Sequence, residues 1–293
     1  MTSFRRLTPD DRPAFDAFLD RHRATSMFLR ANAFHSGLVD GPERFQGLYV
    51  GAFSDNVLTD VAAHYWNGNI ILQAPTQPAE LALAVARESG RRIDGLLGPW
   101  PQVEATERAL NLGQRHLGKA VPEYLYRLDL ADLIVPEQLS SGRVVYRHAR
   151  VDDLAELVPW RREYDLHTLG YPDDSIDDAT IHDDLARSIR AGTLGVLEKD
   201  GGLVSMTAFG AKLPDTVQVG GVFTPVELRG RGYGRAVVAG SLLDVKADGV
   251  IEAILFTEAE NYPAQRAYET LGFERIGEFG MILLDPVTEP DDG

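Results

Sequence analysis

The sequence predicts an α+β protein with two domains, each containing a mixed sheet flanked by helices. The chain has 293 residues, which is enough for two domains of ordinary size. Its second half alternates apolar strand patterns with helical patterns, and its first half repeats that order of elements more loosely. We place the domains at residues 1–135 and 142–293, joined by a linker at 136–141 where Pro136, Ser140 and Ser141 interrupt the apolar pattern.

The elements predicted in the first half begin with a strand and a helix and end with a strand. In chain order they are a strand at 4–8, a helix at 10–23, hairpin strands at 46–53 and 57–65, a helix at 79–89, a strand at 93–98, a helix at 103–112 and a closing strand at 124–130.

The elements predicted in the second half follow the same order. They are a strand at 143–150, a helix that begins at 151–158, a helix at 177–191, strands at 194–198 and 203–209 with a hairpin turn between them, a strand at 217–224, a helix from 235 to 243, and a strand at 250–257. A segment from Asn261 to Phe273 completes the pattern.

Between the strand at 217–224 and the following helix lies a glycine-rich turn, in which residues 229–234 read Arg-Gly-Arg-Gly-Tyr-Gly. Alternate glycines leave backbone N–H groups accessible, and the start of a helix adds further donors and a positive dipole end. Arg229, Arg231 and Arg235 add positive charge. The turn therefore predicts an anion site, most naturally for a phosphate or a pyrophosphate.

The spacing of this turn separates it from two common phosphate loops. A Walker loop needs a lysine near its end, and this turn has none. A dinucleotide fingerprint would place its third glycine at position 235 or 237, where the chain has Arg235 and Val237. On the hexapeptide alone, a flexible surface turn remains an alternative.

The order R-x-x-G-x-G from Arg229 to Gly234 is similar to the acyl-CoA pyrophosphate loop of the GNAT acetyltransferases. The later segment adds Asn261, Ala264, Tyr268 and the pair Gly272-Phe273, at the spacing N-x-x-A-x-x-x-Y-x-x-x-G-F. The resemblance extends over about 142–284 and is vaguer before that. It implies a mostly antiparallel mixed sheet whose strands splay apart around acyl-CoA in the C-terminal domain.

The resemblance also implies a set of residues that bind acyl-CoA. Backbone groups at the end of one strand would hold the pantetheine arm, with the Val222 N–H near the thioester carbonyl, and the glycine turn would hold the pyrophosphate. Asn261 would contact the pantetheine or cap its own helix. The full set is Val222, Phe223, Thr224, Arg229, Gly230, Arg231, Gly232, Tyr233, Gly234, Arg235, Asn261 and Ala264.

The resemblance makes Tyr268 the general acid toward the CoA thiolate, since a phenol has a higher ordinary pKa than a thiol. An aromatic side chain that only packs is the alternative.

No general base is evident: the strand offers Gln218, which could hold a water. Five residues on the early helices are each more readily explained as surface residues, namely Glu163, Tyr164, Asp165, His167 and His182. The run from His182 to Asp184 is not a metal site, because consecutive helical residues point in different directions.

The first half has no counterpart of the glycine turn. Residues 69–78 stand at the equivalent place and contain neither a glycine turn nor an arginine. We therefore expect a degenerate GNAT-like N-terminal domain that does not bind CoA, with an unrelated α/β domain as the alternative.

The composition restricts the partners and the compartment. The net charge of −15 opposes binding to nucleic acid or to anionic membranes. The absence of cysteine excludes disulfides and thiolate chemistry and suits the cytoplasm. No apolar run is long enough to span a membrane, and the first residues lack the pattern of a signal peptide.

We thus expect a metal-independent N-acetyltransferase that uses acetyl-CoA and acts on an amine of a small molecule or peptide. The alternatives are a tandem synthase of the mycothiol type and a non-catalytic acyl-CoA sensor. The sequence identifies neither the acceptor nor the oligomeric state.

Overall fold

The computed structural model describes residues 2–117 and 120–285, and the chain divides into two compact units. Unit 1 is formed by the described residues up to Glu123 together with those from Gly277 onward. Unit 2 is Tyr124–Ile276. Unit 2 is therefore continuous in sequence, and unit 1 is not.

The helices are numbered in chain order. They are α1 (Arg12–Asp20), α2 (Met27–Ser36), α3 (Pro78–Ser89), α4 (Trp100–Leu110), α5 (Glu137–Ser140), α6 (Leu154–Tyr164), α7 (Asp178–Arg190), α8 (Tyr233–Ala247) and α9 (Tyr262–Glu269).

The strands are numbered in the same way. They are β1 (Ser3–Arg6), β2 (Gly47–Ser54), β3 (Val57–Tyr65), β4 (Asn69–Gln73), β5 (Gly95–Pro99), β6 (His116–Leu117), β7 (Glu123–Asp129), β8 (Val145–His148), β9 (Leu194–Lys199), β10 (Gly202–Lys212), β11 (Thr216–Phe223), β12 (Glu252–Glu258) and β13 (Glu274–Leu284).

The sheet of unit 1 has the strand order β1-β2-β3-β4-β5-β13. The pairs β1–β2, β2–β3 and β3–β4 are antiparallel, and so is the pair β5–β13. Only β4 and β5 pair in parallel within this described sheet. Leu81 and Val85 of α3 and Val103 of α4 pack on one face of the sheet. On the other face, the ring of Tyr49 lies 5.7 Å from that of Phe15 in α1.

The sheet of unit 2 has the corresponding order β8-β9-β10-β11-β12-β7. Here β11 and β12 are the parallel pair, and β8, β9, β10 and β11 pair antiparallel in succession. The apolar side of α8 packs on one face, and α6 and α7 pack on the other. Both units thus have the mixed, mostly antiparallel sheet that the sequence predicts.

The last strand of each sheet comes from the other half of the chain. β7, which we expected to close the first domain, contributes Tyr126 and Leu128 to the core of unit 2, and Leu130, just after it, lies in the same core. β13 contributes Ile282 and Leu284 to the core of unit 1. The compact units therefore have limits that differ from the predicted domains at 1–135 and 142–293. An alternating apolar pattern predicts a strand but not the sheet in which it pairs.

The helix α2 lies in a segment for which the sequence predicts no element. Its buried residues include Met27, Leu29, Ala31, Asn32 and Ala33, which do not fall on one helical face. No helix within the described part of the chain has both the length and the apolarity that crossing a membrane requires.

Candidate functional site

The candidate site begins where β11 and β12 separate. Their parallel pairing runs from Thr216 opposite Glu252 to Val219 opposite Leu255. β11 continues to Phe223 and β12 to Glu258, but the register described between them ends at Val219 and Leu255. An extended ligand can enter such an opening and bond to the backbone as a strand does.

A β-bulge at Gly221 shapes the open end of β11. The pairing with β10 shifts between Met206 opposite Phe223 and Ala208 opposite Gly220, and Gly221 has a φ of 56°. The extra residue reverses the side on which later residues lie. Val222 consequently packs toward the core beneath α8, and Phe223 packs in the core beneath α6 and α7.

The glycine turn leads from β11 into α8 and needs two residues of positive φ. Gly230 has a φ of 76° and Gly232 a φ of 78°. A Cβ at position 232 would lie 3.1 Å from Nε2 of Gln138. That amide of Gln138, in α5, donates a 2.8 Å hydrogen bond to the carbonyl of Gly232. Gln138 is a part of the site that no sequence motif marks.

The start of α8 has backbone donors and no side-chain cap. The N-cap residue is Gly232, and the first helical bond is donated by Ala236 to the Gly232 carbonyl at 3.2 Å. The amides of Tyr233, Gly234 and Arg235 precede that bond, and the helix dipole places partial positive charge around them. The arrangement is suited to an anion, as the sequence predicts.

Two arginines of the turn donate hydrogen bonds to backbone carbonyls that precede it. Arg229 donates from Nε to the Thr224 carbonyl at 3.0 Å, and Arg231 donates from Nη2 to the Glu227 carbonyl at 3.2 Å. These two residues and Arg235 are exposed. They add positive charge at the surface of an acidic protein.

Ser205 of β10 fixes the end of β11. Its hydroxyl donates to the Phe223 carbonyl at 2.8 Å and shares a 2.9 Å hydrogen bond with the hydroxyl of Thr224. That hydroxyl of Thr224 would lie 3.6 Å from a Cβ on Gly234. The end of β11 and the start of α8 therefore lie side by side.

The motif that begins at Asn261 corresponds to a short helix, α9. Asn261 is its N-cap and accepts a 3.2 Å hydrogen bond from the Ala264 amide, which is one of the two roles expected for it. Tyr268 is buried in the core that also contains Tyr233, with Val222 and Ala264 at its edge. Its ring meets that of Phe273 edge-on, at 6.0 Å between centroids.

The candidate bases differ in their burial. Glu163, His167 and His182 are exposed and Tyr164 is half-buried. Gln218 is buried and donates to the neighbouring Val219 carbonyl at 2.8 Å. Asp165 is buried, so the expectation that it is a surface residue is wrong. The exposure of Asp165 depends on which residues cover the end of α6, and the neighbouring sequence does not indicate them.

In unit 1 the loop between β4 and α3 stands where unit 2 has its glycine turn. The buried carboxylate of Asp60 accepts hydrogen bonds from the amides of Thr76 at 2.7 Å and Gln77 at 3.1 Å, and from the Thr76 hydroxyl at 2.5 Å. Gln102 accepts from the Ala74 amide at 2.7 Å. The donors of this loop are thus bonded within the protein.

Asp60 and Ser205 occupy corresponding positions in the two sheets. Asp60 precedes Val61, which pairs with the last residue of β4, and Ser205 precedes Met206, which pairs with the last residue of β11. A carboxylate in unit 1 therefore bonds the backbone amides of the loop before α3, although neither α3 nor α8 has a side-chain cap of its own.

Residues 155–273 match the family described as the acetyltransferase (GNAT) family. Unit 2 thus contains a GNAT domain. Members of this family are acyltransferases that use acyl-CoA. No curated protein sequence matches the chain.

Solved GNAT structures share the fold over almost the full chain. A GNAT protein from Sphaerobacter thermophilus has 13% identity and a TM-score of 0.56, with 99% of this chain and 98% of that one covered. One from Colwellia psychrerythraea has 15% identity and a TM-score of 0.51, with coverage of 97% and 100%. A tandem GNAT protein from the clavulanic acid biosynthesis pathway has 14% identity and a TM-score of 0.51, with both chains fully covered. The chain thus has a tandem GNAT fold.

Proposed function

We propose that unit 2 transfers an acetyl group from acetyl-CoA to an amine of a small molecule or a peptide. The observation that carries this proposal is the separation of β11 and β12 beside the uncapped start of α8, within a GNAT domain. Acyl-CoA combines a pyrophosphate with an extended arm that contains amides. The two parts of the site suit these two parts of the ligand.

In this proposal the pyrophosphate is bound by the turn from Arg229 to Gly234, with Arg235 beside it. The left-handed glycines keep side chains away from these amides. Each oriented donor contributes only modestly, about 0.3–2 kcal/mol for the dipole effect. Several such donors acting together give a site that needs no metal ion.

The pantetheine arm is assigned to the open edge of β11. Val222, Phe223 and Thr224 would offer backbone groups to its amides, with Asn261 and Ala264 on the opposite side. The Val222 N–H would polarise the thioester carbonyl and stabilise the oxyanion that forms when the amine attacks.

Tyr268 is assigned the proton that the departing CoA thiolate needs. A phenol has an ordinary pKa of about 10, higher than that of a thiol, so the thiolate can take a proton from it during cleavage of the carbon–sulfur bond. Burial of Tyr268 in the core beneath α8 would keep its ring in one position. The absence of cysteine from the sequence supports a cytoplasmic location for this reaction.

Calorimetric titration with acetyl-CoA tests the proposal. We predict that the unaltered protein binds acetyl-CoA and that Gly232→Glu weakens binding about 100-fold or more, equivalent to roughly two hydrogen bonds to a charged group. The substitution strains a residue at positive φ and places a negative charge at the start of α8. Release of CoA in the presence of a panel of primary amines then tests for transfer.

Gly249→Glu is the matched control, because Gly249 also has a positive φ, of 98°, and follows the other end of α8. It adds the same charge, also at a residue of positive φ, away from the turn. Equal affinities for acetyl-CoA in both variants would contradict the assignment of the glycine turn.

A further inference from the structure

Asp165 has a buried carboxylate that none of the roles assigned so far uses. The helix α6 passes directly into a π-helical turn, Asp165–Leu169, and turns of this kind are frequent at functional sites. The side chain of Asp165 is only 9% exposed. Its charge is therefore held in a largely desolvated place at the end of α6.

Asp165 forms an ion pair with Arg161 and has an oxygen that lacks a hydrogen bond. Arg161 Nε lies 2.8 Å from Asp165 Oδ1, but this buried oxygen has no hydrogen-bond partner of acceptable geometry among the described residues. The contact thus brings the charges together without directing an N–H at the oxygen. A buried, unsatisfied carboxylate oxygen requires an explanation, and a missing donor from a ligand provides one.

The pair lies against the end of β11 that carries the bulge. Arg161 Nη1 is 3.9 Å from the place that a Cβ on Gly221 would occupy, next to Val222. Trp160, the neighbour of Arg161 in α6, packs its ring 6.0 Å from that of Phe223. The Arg161 side chain is one-third exposed, so this corner of the unit is open to solvent on the side of the guanidinium.

Burial makes Asp165 take up a proton more readily than an exposed aspartate does. Burial raises the pKa of the Asp165 carboxyl, the Arg161 guanidinium opposes that rise, and the carboxylate of Asp184 in α7 adds to it. The nearby Tyr171 has its own pKa raised by burial and by the charge of Asp165. An elevated pKa brings a carboxylate closer to the range in which a general base works at neutral pH.

We propose that Asp165 binds the ammonium group of the acceptor and takes its proton, while Arg161 holds the carboxylate beside the end of β11. The inference rests on the proposed acetyl transfer in unit 2. It identifies the acceptor as an amine that arrives protonated, in agreement with the net charge of −15, which attracts cations. Among the candidate bases, Asp165 is the buried carboxylate.

The reaction moves two protons from the acceptor nitrogen. The ammonium gives one proton to Asp165, which later releases it to solvent, and the neutral amine attacks the thioester carbon. The new carbon–nitrogen bond forms and the carbon–sulfur bond breaks. The nitrogen then loses its second proton to solvent, Tyr268 gives a proton to the CoA sulfur, and Tyr268 recovers one from solvent, so that CoA leaves as the thiol and one proton is released overall.

The competing explanation is that the ion pair between Arg161 and Asp165 has only a structural role at the end of α6. Such a pair would stabilise the fold without any effect on how the rate depends on pH. It would also be expected to make a directed hydrogen bond, since nothing else would compete for the carboxylate oxygen.

The test compares Asp165→Asn with Glu163→Gln, a control that removes an exposed carboxylate from the same helix. Spermidine, L-lysine, glucosamine and a peptide with an unblocked N terminus serve as acceptor probes. For Asp165→Asn we expect kcat/KM for the amine to fall by about 10²–10⁴ at neutral pH. Its affinity for acetyl-CoA should stay within about twofold of the control, since the substitution leaves the glycine turn intact.

The pH profile separates a proton acceptor from a structural pair. In the unaltered protein kcat/KM should fall as the pH drops through the raised pKa of Asp165, because the base form is lost. Asp165→Asn should lack that limb and regain rate at high pH, where more of the amine is already neutral. A loss of rate that is equal at every pH, or a rate within about threefold of the control, would overturn the proposal.

Amine binding to the protein saturated with CoA gives a readout without turnover. We expect a probe amine to bind and Asp165→Asn to abolish that binding, whereas Glu163→Gln retains it. If acetyl-CoA binds but no probe amine binds or reacts, the ammonium site is contradicted. If acetyl-CoA itself does not bind, the proposed function fails before Asp165 is considered, so the two failures are distinguishable.

Discussion

The hydroxyl of Tyr268 differs from the buried apolar groups around it because it can donate a proton. Its ring lies in the core beneath α8 and meets Phe273 edge-on. Packing of the ring alone would be served equally well by phenylalanine. The hydroxyl therefore separates a catalytic role from a structural one.

We predict that Tyr268→Phe lowers kcat for acetyl transfer by about 10²–10⁴ and leaves the affinity for acetyl-CoA nearly unchanged. The ring volume is kept, so the fold should remain intact. Tyr262→Phe is the control, because Tyr262 begins the same helix and is 71% exposed. Thiol release and calorimetry measure the two quantities. Full activity of the Tyr268 variant would assign the proton transfer elsewhere, and binding without turnover in the unaltered protein would favour a sensor.

At this scale the sequence predicts the residues that belong to motifs and misses those placed by tertiary contacts. The spacing from Asn261 to Phe273 correctly indicates a helix with Asn261 at its start. Gln138 braces the glycine turn from a distant helix, and nothing in its neighbourhood in the sequence indicates this. Asp165 is surrounded by Glu163 and His167, which are exposed, so its burial follows only from the folded structure.

At the scale of elements, the loop before α3 shows how backbone amides next to a helix can be satisfied without a ligand. The carboxylate of Asp60 bonds the amides of Thr76 and Gln77, just before α3. A negative charge there also complements the helix dipole. The side chain thus satisfies donors that would otherwise need water or an anion.

We predict that Asp60→Ala destabilises unit 1 by about 2–5 kcal/mol, because two backbone donors and a hydroxyl lose a buried acceptor. Hydrogen exchange measured on the peptide that contains residues 74–89 should show faster exchange at the start of α3. Asp10→Ala, which removes an exposed carboxylate from the same unit, should leave that exchange unaltered. Similar exchange in both variants would mean that Asp60 is dispensable for this turn.

Predictions for whole elements succeed where a pattern has one clear period. The hairpin of β2 and β3, and that of β9 and β10, lie close to the predicted positions, because turn residues separate alternating apolar runs. The start of α8 is two residues earlier than predicted, since Gly232 in a left-handed conformation serves as its N-cap. The helix α2 has no single apolar face, so its pattern carries no helical period.

At the scale of the whole molecule, the exchanged strands determine where the chain can be cut. Three side chains are buried in the core of unit 2: Tyr126 and Leu128 of β7, at 1% and 2% exposure, and Leu130 just after β7, at 0%. Burial of three such side chains contributes roughly 5–9 kcal/mol. That is comparable to the entire stability of a typical domain, about 5–15 kcal/mol.

We therefore predict that a fragment of residues 142–293, cut at the predicted linker, does not fold cooperatively, whereas a fragment of residues 124–276 does. Circular dichroism and thermal denaturation of the two fragments measure this. Each fragment contains the glycine turn and Tyr268, and a third fragment of residues 142–276 separates the effect of residues 124–141, which include β7, from that of residues 277–293. A cooperative transition of 142–293 at the same temperature as 124–276 would show that β7 is not needed.

The division of the chain also determines the order in which a ribosome can finish the two units. The first five strands of unit 1 leave the ribosome early, but the part of β13 that pairs with β5, residues 279–283, is synthesised only after all of unit 2. At common rates of about 5–20 residues per second, β5 waits on the order of ten seconds for its neighbour. An unpaired strand edge is a site for association with other chains during that time. Although it begins first, unit 1 is completed last, and a chain that stalls before Gly277 carries a finished unit 2 and an unfinished partner.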